Sequence, residues 1–393
     1  MAVTETTTEG WGSRLGSSIK GVLTGLALFA AGFPLLFWNE GNAVKTAKAI
    51  DEGEGACVSL ESNEKVDAAM EGKLVHLSGK ADTKDVLADD VFGVSATAIR
   101  LQRQVEMFQW IEESKTTEKK KLGGGVEKTT TYTYKQDWSP TVINSGNFKE
   151  SGHDNPAAME FSSEQKYAAN VTFGAFRLSE DQIRRIGSTQ AYAFPTDFVC
   201  KVERVQTKGA TIYVPNTETR VNPLNRRDVA SQPRVGDMRV TFRVVYPHDI
   251  SLIAKQKGDS FIDYTAKTGK KLNYLVDGVE DAAAMFATAR KNNAMLTWLL
   301  RLVGFLAMYI GLGMVFKPLS VLADVLPILG DIVGIGTGIV AGLIAFVCAV
   351  ITIAIAWITY RPVLGITLLV LAVAGIVLLI KKRRAKAAAA KVL

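Results

Sequence analysis

The sequence predicts an integral membrane α+β protein: four transmembrane helices with a large α+β extramembrane domain inserted between helices one and two. Three observations predict it. First, four apolar runs stay almost free of charge for longer than buried soluble helices do. Residues 21–38, 332–358 and 363–380 carry no charged side chain, and 294–316 carries only Arg301. A helix needs roughly 17–25 such residues to cross a hydrocarbon core of about 30 Å. Second, charge respects the same boundaries. The chain holds 46 Lys/Arg and 39 Asp/Glu, a net +7. Residues 39–294 hold 35 of each, so the whole excess, 11 − 4 = +7, lies on the apolar flanks 1–38 and 295–393. A soluble nucleic-acid binder concentrates basic residues on its folded domain, so this distribution argues against nucleic acid as a partner and for the lipid bilayer. Third, the polar stretch between the first two runs shows strand periodicity.

The elements follow in order. Residues 1–20 form a polar Thr/Ser/Gly tail, expected to be cytoplasmic and disordered, in which Trp11 and Leu15 can touch the membrane. Residues 21–38 are transmembrane helix one. As a cleaved signal the run is too long, since such cores span about 7–15 residues, and the A-x-A-like site Ala47-Lys48-Ala49 carries a lysine. Residues 39–294 are a periplasmic or lumenal α+β domain. Within it Met238-Arg239-Val240-Thr241-Phe242-Arg243-Val244 alternates as a half-buried strand. Leu101, Val105, Met107 and Ile111 share one face of a second strand, and 129–136, with Tyr132 and Tyr134, is a third. Lys119-Lys120-Lys121-Leu122-Gly123-Gly124-Gly125 links these two as a hairpin tip. Residues 252–257 and 261–265 form another hairpin around Gly258-Asp259. Ser179-Glu180-Asp181-Gln182 is a capping box that opens a short helix, which Gly187 can close. From about Val279 a helical pattern continues without a breaker into transmembrane helix two, residues 295–316.

Beyond it, residues 317–331 are expected as a cytoplasmic-face interfacial segment in which Pro318 and Ser320 start a short helix and Asp324 faces the headgroups. Residues 332–358 and 363–380 are transmembrane helices three and four, and 381–393 is a basic cytoplasmic tail. That tail carries six cations directly after the last apolar run, against Arg361 alone in the turn before it. The positive-inside rule places the tail in the cytoplasm, and four spans return the N-terminus to the same side, with 39–294 outside. Trp38, Trp298, Trp357 and Tyr360 then all fall at outward ends, where amphipathic rings prefer to sit. Six cations contribute up to about 6 kcal/mol of attraction to anionic lipid at the tail.

Chemistry is sparse. His76, His153 and His248 are far apart, and no metalloprotease, nucleophile-elbow or phosphate-loop spacing occurs. No catalytic, cofactor-binding or metal-binding residue is assigned, no cofactor is implied, and the expectation is a non-enzyme. Cys57 and Cys200 both lie in the outer domain, where an oxidising compartment permits a disulfide; Cys348 lies mid-membrane. Asn170-Val171-Thr172 is a glycosylation sequon. Arg301 either snorkels outward past Trp298 or serves a buried ion pair, although no acidic partner lies inside any span. Gly330, Gly334, Gly338 and Gly342 recur every four residues, a smooth face for a helix of the same chain or of a second protomer.

Short motifs run through the chain in a specific order. They are Asn39-Glu40-Gly41 with Ala43 and Lys45-Thr46-Ala47, then Arg103-Gln104-Val105-Glu106-Met107-Phe108-Gln109-Trp110, then Tyr132, Tyr134 and Trp138. Asn155-Pro156 with Ala158-Met159, Gly236-Asp237-Met238-Arg239-Val240, residues 253–259 and Tyr360-Arg361-Pro362 complete the set. On these residues the chain resembles the LUMA (transmembrane protein 43) family along nearly its full length. The resemblance implies four spans, a large lumenal domain between spans one and two, and a role in membrane organisation without established enzymatic activity. Animal members reside in the endoplasmic reticulum and inner nuclear membrane; a prokaryotic member would sit in the bacterial inner membrane. The N-terminal tail is shorter than in the animal members and nothing identifies a nuclear partner, so lamina binding is not carried over. The expectation is a multi-pass scaffold that organises membrane proteins or lipids through its outer domain and self-association as a homo-oligomer. The competing classes are a transporter or channel component, which the near-absence of charge in the spans disfavours, and a membrane-bound enzyme.

Overall fold

A computed structural model of the chain describes residues 2–216, 227–363 and 367. The chain divides into two compact units. Among the described residues the first is formed by 2–6, 52–117, 129–216 and 227–287, the second by 7–51, 118–128, 288–363 and 367.

The first unit is built on two sheets. One follows the order β1 (Ala2–Glu9), β4 (Val126–Ser139), β3 (Arg100–Lys120), β6 (Met238–Val245), β5 (Thr211–Val214) and Gln206–Lys208. The periodicity read from the sequence sets its register. Met107 pairs with Met238 and Arg100 with Val245, so the alternate residues Leu101, Val105 and Met107 share a core with Val240, Phe242, Val244, Ile212 and Phe92. The second sheet centres on β2 (Leu74–Asp82) and β7 (His248–Lys257), antiparallel from His248↔Ala81 to Lys255↔Leu74. Its core collects Val75, Leu77, Ile250, Leu252, Phe173, Phe176 and Phe261. β7 turns at Gly258, whose φ of 57° suits glycine, into Ser260–Ile262. The partner strand then ends: Tyr264–Thr265 pairs with Lys271–Leu272 instead of continuing the hairpin. Ser179 caps α2 (Glu180–Arg185) with the reciprocal Gln182 contact that its spacing predicts, and Ile186 rather than Gly187 closes it.

The second unit is a helical bundle. α1 (Trp11–Ala56) is a single helix of 46 residues that passes the expected end of span one without a break. α3 (Ala282–Ala323) has 42 residues and α4 (Pro327–Tyr360) 34. These three are long and apolar enough to cross a membrane. The fourth expected span and the basic tail fall outside the described residues, apart from Val363 and Thr367. α1 and α3 run antiparallel: a Cβ built on Gly25 meets Gly311, one on Gly32 meets Met308, and one on Gly304 meets Leu36. Leu36, Met308, Leu312, Ala341, Ala345 and Ala349 form the bundle core.

Three expectations need correction. The N-terminal tail is ordered: its Thr-rich alternation pairs as β1 on the edge of β4, and α1 starts at Trp11. Residues 317–331 are no separate interfacial helix. α3 continues through Pro318 to Ala323, and the break falls at Leu326, held extended by Pro327, which opens α4. Residues 39–294 are not one compact unit. Residues 39–51 and 288–294 belong to the bundle helices, and the hairpin tip 118–128 groups with the bundle as well.

Candidate membrane-interface sites

One end of the bundle carries an ion pair that the sequence half anticipates. Glu40 lies two residues past the apolar run, and the unbroken α1 holds it in the bundle with its side chain 2% exposed. Arg301 of α3 reaches it through two bonds: Nε donates to Oε1 at 2.6 Å and Nη2 to Oε2 at 2.9 Å. Trp357 of α4 donates its indole N–H to the same carboxylate at 2.8 Å. The guanidinium also lies 4.6 Å from the Trp298 ring centre and 5.7 Å from that of Trp357. Arg301 is therefore the partner of a buried carboxylate, not a snorkelling side chain. A carboxylate and guanidinium out of water persist only when matched this closely, because each alone carries a large desolvation cost. Nearby, Asn39 donates to the Thr297 carbonyl at 3.0 Å, Asn293 to that of Ala43 at 3.1 Å, and the Tyr360 ring fills the space that Gly41 leaves open.

A cavity of about 350 Å³ opens beside this pair, lined by Glu40, Asp51, Arg290, Arg301, Arg361 and Trp298, among others. Arg290 donates to Asp51 at 3.1 Å. Arg361 is exposed at the end of α4.

The opposite end carries a second polar cluster. Asp324, in the turn between α3 and α4, is 2% exposed and accepts from Arg14 at 2.5 Å and from Lys120 at 2.6 Å. Lys120 also donates to Asp331 at 2.8 Å. The hairpin tip closes over these charges: the Gly123 N–H donates to the Val325 carbonyl at 3.1 Å, and Arg14 donates to the carbonyl of Gly124. Trp11 packs on Gly124 and donates to the Val321 carbonyl at 2.8 Å. A side chain on Gly124, with φ of 80°, would collide with that indole. Burial alone would raise the Asp324 carboxyl, but hydrogen bonds and charge from Lys120 and Arg14 more than offset it and lower its pKa. Burial likewise depresses Lys120, and its bonds to Asp324 and Asp331 reverse the sign and raise it. Asp324 is thus satisfied by the chain's own cations, Arg14 and Lys120, instead of facing headgroups.

The glycine row faces α3 of the same chain. Cβ atoms at Gly334, Gly338 and Gly342 would make ordinary contacts of 3.6–3.8 Å with Ser320 or Tyr309. Gly330, the first of the row, is tight against the turn before α4, where a Cβ would stand 2.8 Å from the Asp324 Cα; the tight approach between helices lies elsewhere, between α1 and α3. A Cβ on Gly25 would stand 2.6 Å from the Gly311 carbonyl oxygen, and one on Gly311 the same distance from Gly25 O and Phe29 N. Gly25 and Gly32, and Gly304 and Gly311, recur at seven residues. That spacing is the available signal, dispersed among other small residues.

The remaining residues of interest stay apart. His76 is buried, its Nε2 2.8 Å from the Glu280 carbonyl. His153 stacks on Tyr134 at 4.1 Å, and His248 lies 2.9 Å from Asp277. Cys57, Cys200 and Cys348 are free thiols, and burial pushes Cys57 up to about 11. Among the described residues, no three His, Cys, Asp or Glu side chains gather as a metal site.

The family model for transmembrane protein 43 matches residues 107–362. Transmembrane protein 43 of Mus musculus is 35% identical over 92% of this chain and 90% of its own length. The chain belongs to the transmembrane protein 43 family. The Homo sapiens relative is 33% identical, covering 96% of this chain and 93% of the relative. A Drosophila melanogaster homolog is 28% identical over 88% and 90%. No solved structure matches. The motifs that carry the resemblance are architectural. Glu40 and Arg361 line the cavity. Asn155 copies a strand partner for Trp110, accepting from its N–H at 2.7 Å and donating to its carbonyl at 2.9 Å. Gln109 donates to the Thr141 carbonyl and accepts from the Ile143 N–H, each at 2.9 Å. Fully buried Asp237 takes both Arg227 amino groups and the backbone N–H groups of Asn216 and Arg234. These contacts brace loops that bear no regular ladder.

Proposed function

We propose that this family member is a multi-pass membrane scaffold that organises membrane proteins or lipids through its extramembrane domain and through self-association, with no catalytic step. The observation that carries the reading is the continuity of α1 and α3. Both helices extend well past their apolar stretches, and their polar ends are built into a hydrophobic core. A Cβ on Gly53, near the end of α1, would meet Leu272, Phe286 of α3 and Leu74 of β2, and the Phe286 ring is fully buried. An unbroken helix transmits position, because bending it costs hydrogen bonds that a flexible linker does not have. The motif residues support the same reading, since Asn155, Gln109 and Asp237 hold the architecture through their contacts. In a eukaryotic host we place the protein in the endoplasmic reticulum and inner nuclear membrane.

Purification of the full chain in mild detergent, with mass measurement and identification of co-purifying molecules, tests this. The expected result is a homo-oligomer that retains a reproducible set of membrane proteins. A monomer that retains none overturns it.

A further inference from the structure

We propose that the cavity at the Glu40–Arg301 end binds the phosphodiester of a glycerophospholipid headgroup. This goes beyond the scaffold reading and stands without it. Three guanidinium groups, of Arg290, Arg301 and Arg361, face two carboxylates, of Glu40 and Asp51, so the lining carries a formal charge of +1. That matches the single negative charge of a phosphodiester. Arg301 spends Nε and Nη2 on Glu40, and its Nη1 makes no hydrogen bond among the described residues. The Arg361 side chain is exposed and has no acceptor among the described residues. Two guanidinium donors therefore remain open on one cavity, the fork geometry that phosphate oxygens accept. The pair with Glu40 and the rings of Trp298 and Trp357 fix Arg301 in advance, which lowers the ordering cost of binding.

The lipid assignment rests on what surrounds the donors. Trp298 is 68% exposed beside the cavity, and Leu299 and Leu302 of the same helix are 55% and 52% exposed. An exposed indole next to arginine, over bare leucine, is the arrangement of an aromatic belt, where headgroup phosphates lie. A soluble phosphate would use the arginines and leave this apolar border unexplained.

The test uses the full chain, delipidated in mild detergent and followed by thermal denaturation. It is titrated with short-chain phosphatidylglycerol, with the matching diacylglycerol and with inorganic phosphate. Phosphatidylglycerol is expected to give a saturable rise in Tm, and the other two none. Arg361→Gln removes one charge-assisted contact and should raise the half-saturating concentration about tenfold, with Arg361→Lys intermediate. Arg361 is exposed, so its variants keep the fold, which their unliganded Tm verifies. Equal saturation of wild type and Arg361→Gln overturns the site. An equal response to diacylglycerol reduces it to apolar contact and overturns it too. Saturation by inorganic phosphate alone overturns the lipid assignment.

Discussion

Glu40 and Arg301 illustrate how one charge pair decides the stability of a helix bundle. Removing Arg301 strands the Glu40 carboxylate, 2% exposed, away from water, which costs about 3–5 kcal/mol; removing Glu40 leaves a cavity-lining Arg301 without its acceptor, and removing both leaves no orphan. Arg301→Gln and Glu40→Gln are each expected to lower the thermal midpoint in detergent strongly, and the double variant to recover part of the loss. Additive losses would show that the pair is not coupled. At the other end Asp324 gives a pH signature. Its folded pKa is depressed, so its contribution is present above the unfolded value of about 3.9 and is lost as pH falls through the folded one. Melts between neutral pH and below pH 4 should show wild type losing stability on acidification by more than Asp324→Asn, which is already weakened at pH 7. An identical acid loss in both would remove Asp324 from the account.

Among elements, the α1–α3 crossing sets the packing. Gly311→Ala forces a methyl group against the backbone of α1, and such overpacking costs about 1–3 kcal/mol. Gly334→Ala fits at 3.8 Å from Ser320 and gains helix propensity of up to about 1 kcal/mol, so it should be neutral or stabilising. Thermal melts of the two variants separate these roles, and the reverse order would return the seam to the glycine row of α4. In the sequence that row stands out because a four-residue repeat is conspicuous, while a pair of seven-residue repeats on two helices only makes sense once the helices are antiparallel. Length and hydropathy locate the described helices, and alternation locates β3 and β6, because those signals are local. Glu40 escapes a charge-free window, which stops at Trp38 while the helix does not. β1 escapes too, because a Thr-rich strand is stable only against β4, more than a hundred residues away.

For the whole molecule, connectivity makes a demand of its own. The chain leaves the bundle unit at Asp51, on the Glu40 side, and re-enters it at Glu118, on the Asp324 side. It leaves again at Lys128 and returns at Thr288. The hairpin tip between β3 and β4 lies with Arg14 and Trp11 at the Asp324 end of the bundle. β3, at about 3.3 Å per residue over its 21 residues, is longer than a hydrocarbon core of about 30 Å. Beyond Met107 it no longer pairs with β6, and its distal residues include Glu113, Lys115 and Glu118. Such a strand cannot face lipid, since unpaired backbone and charge each cost several kcal/mol there. Wherever it meets a bilayer, protein or water must border it.

Side-specific labelling tests this arrangement most directly. In a chain with Cys57, Cys200 and Cys348 replaced by serine, single substitutions Ser13→Cys, Leu122→Cys and Glu61→Cys report on the start of α1, the hairpin tip and the extramembrane domain. All three positions are exposed, Leu122 by 82%. With a membrane-impermeant thiol reagent applied to oriented membranes, the Leu122→Cys variant is expected to react from the same face as Ser13→Cys and opposite to Glu61→Cys. Reaction of the Leu122→Cys and Glu61→Cys variants from one face, with Ser13→Cys protected there, would contradict it.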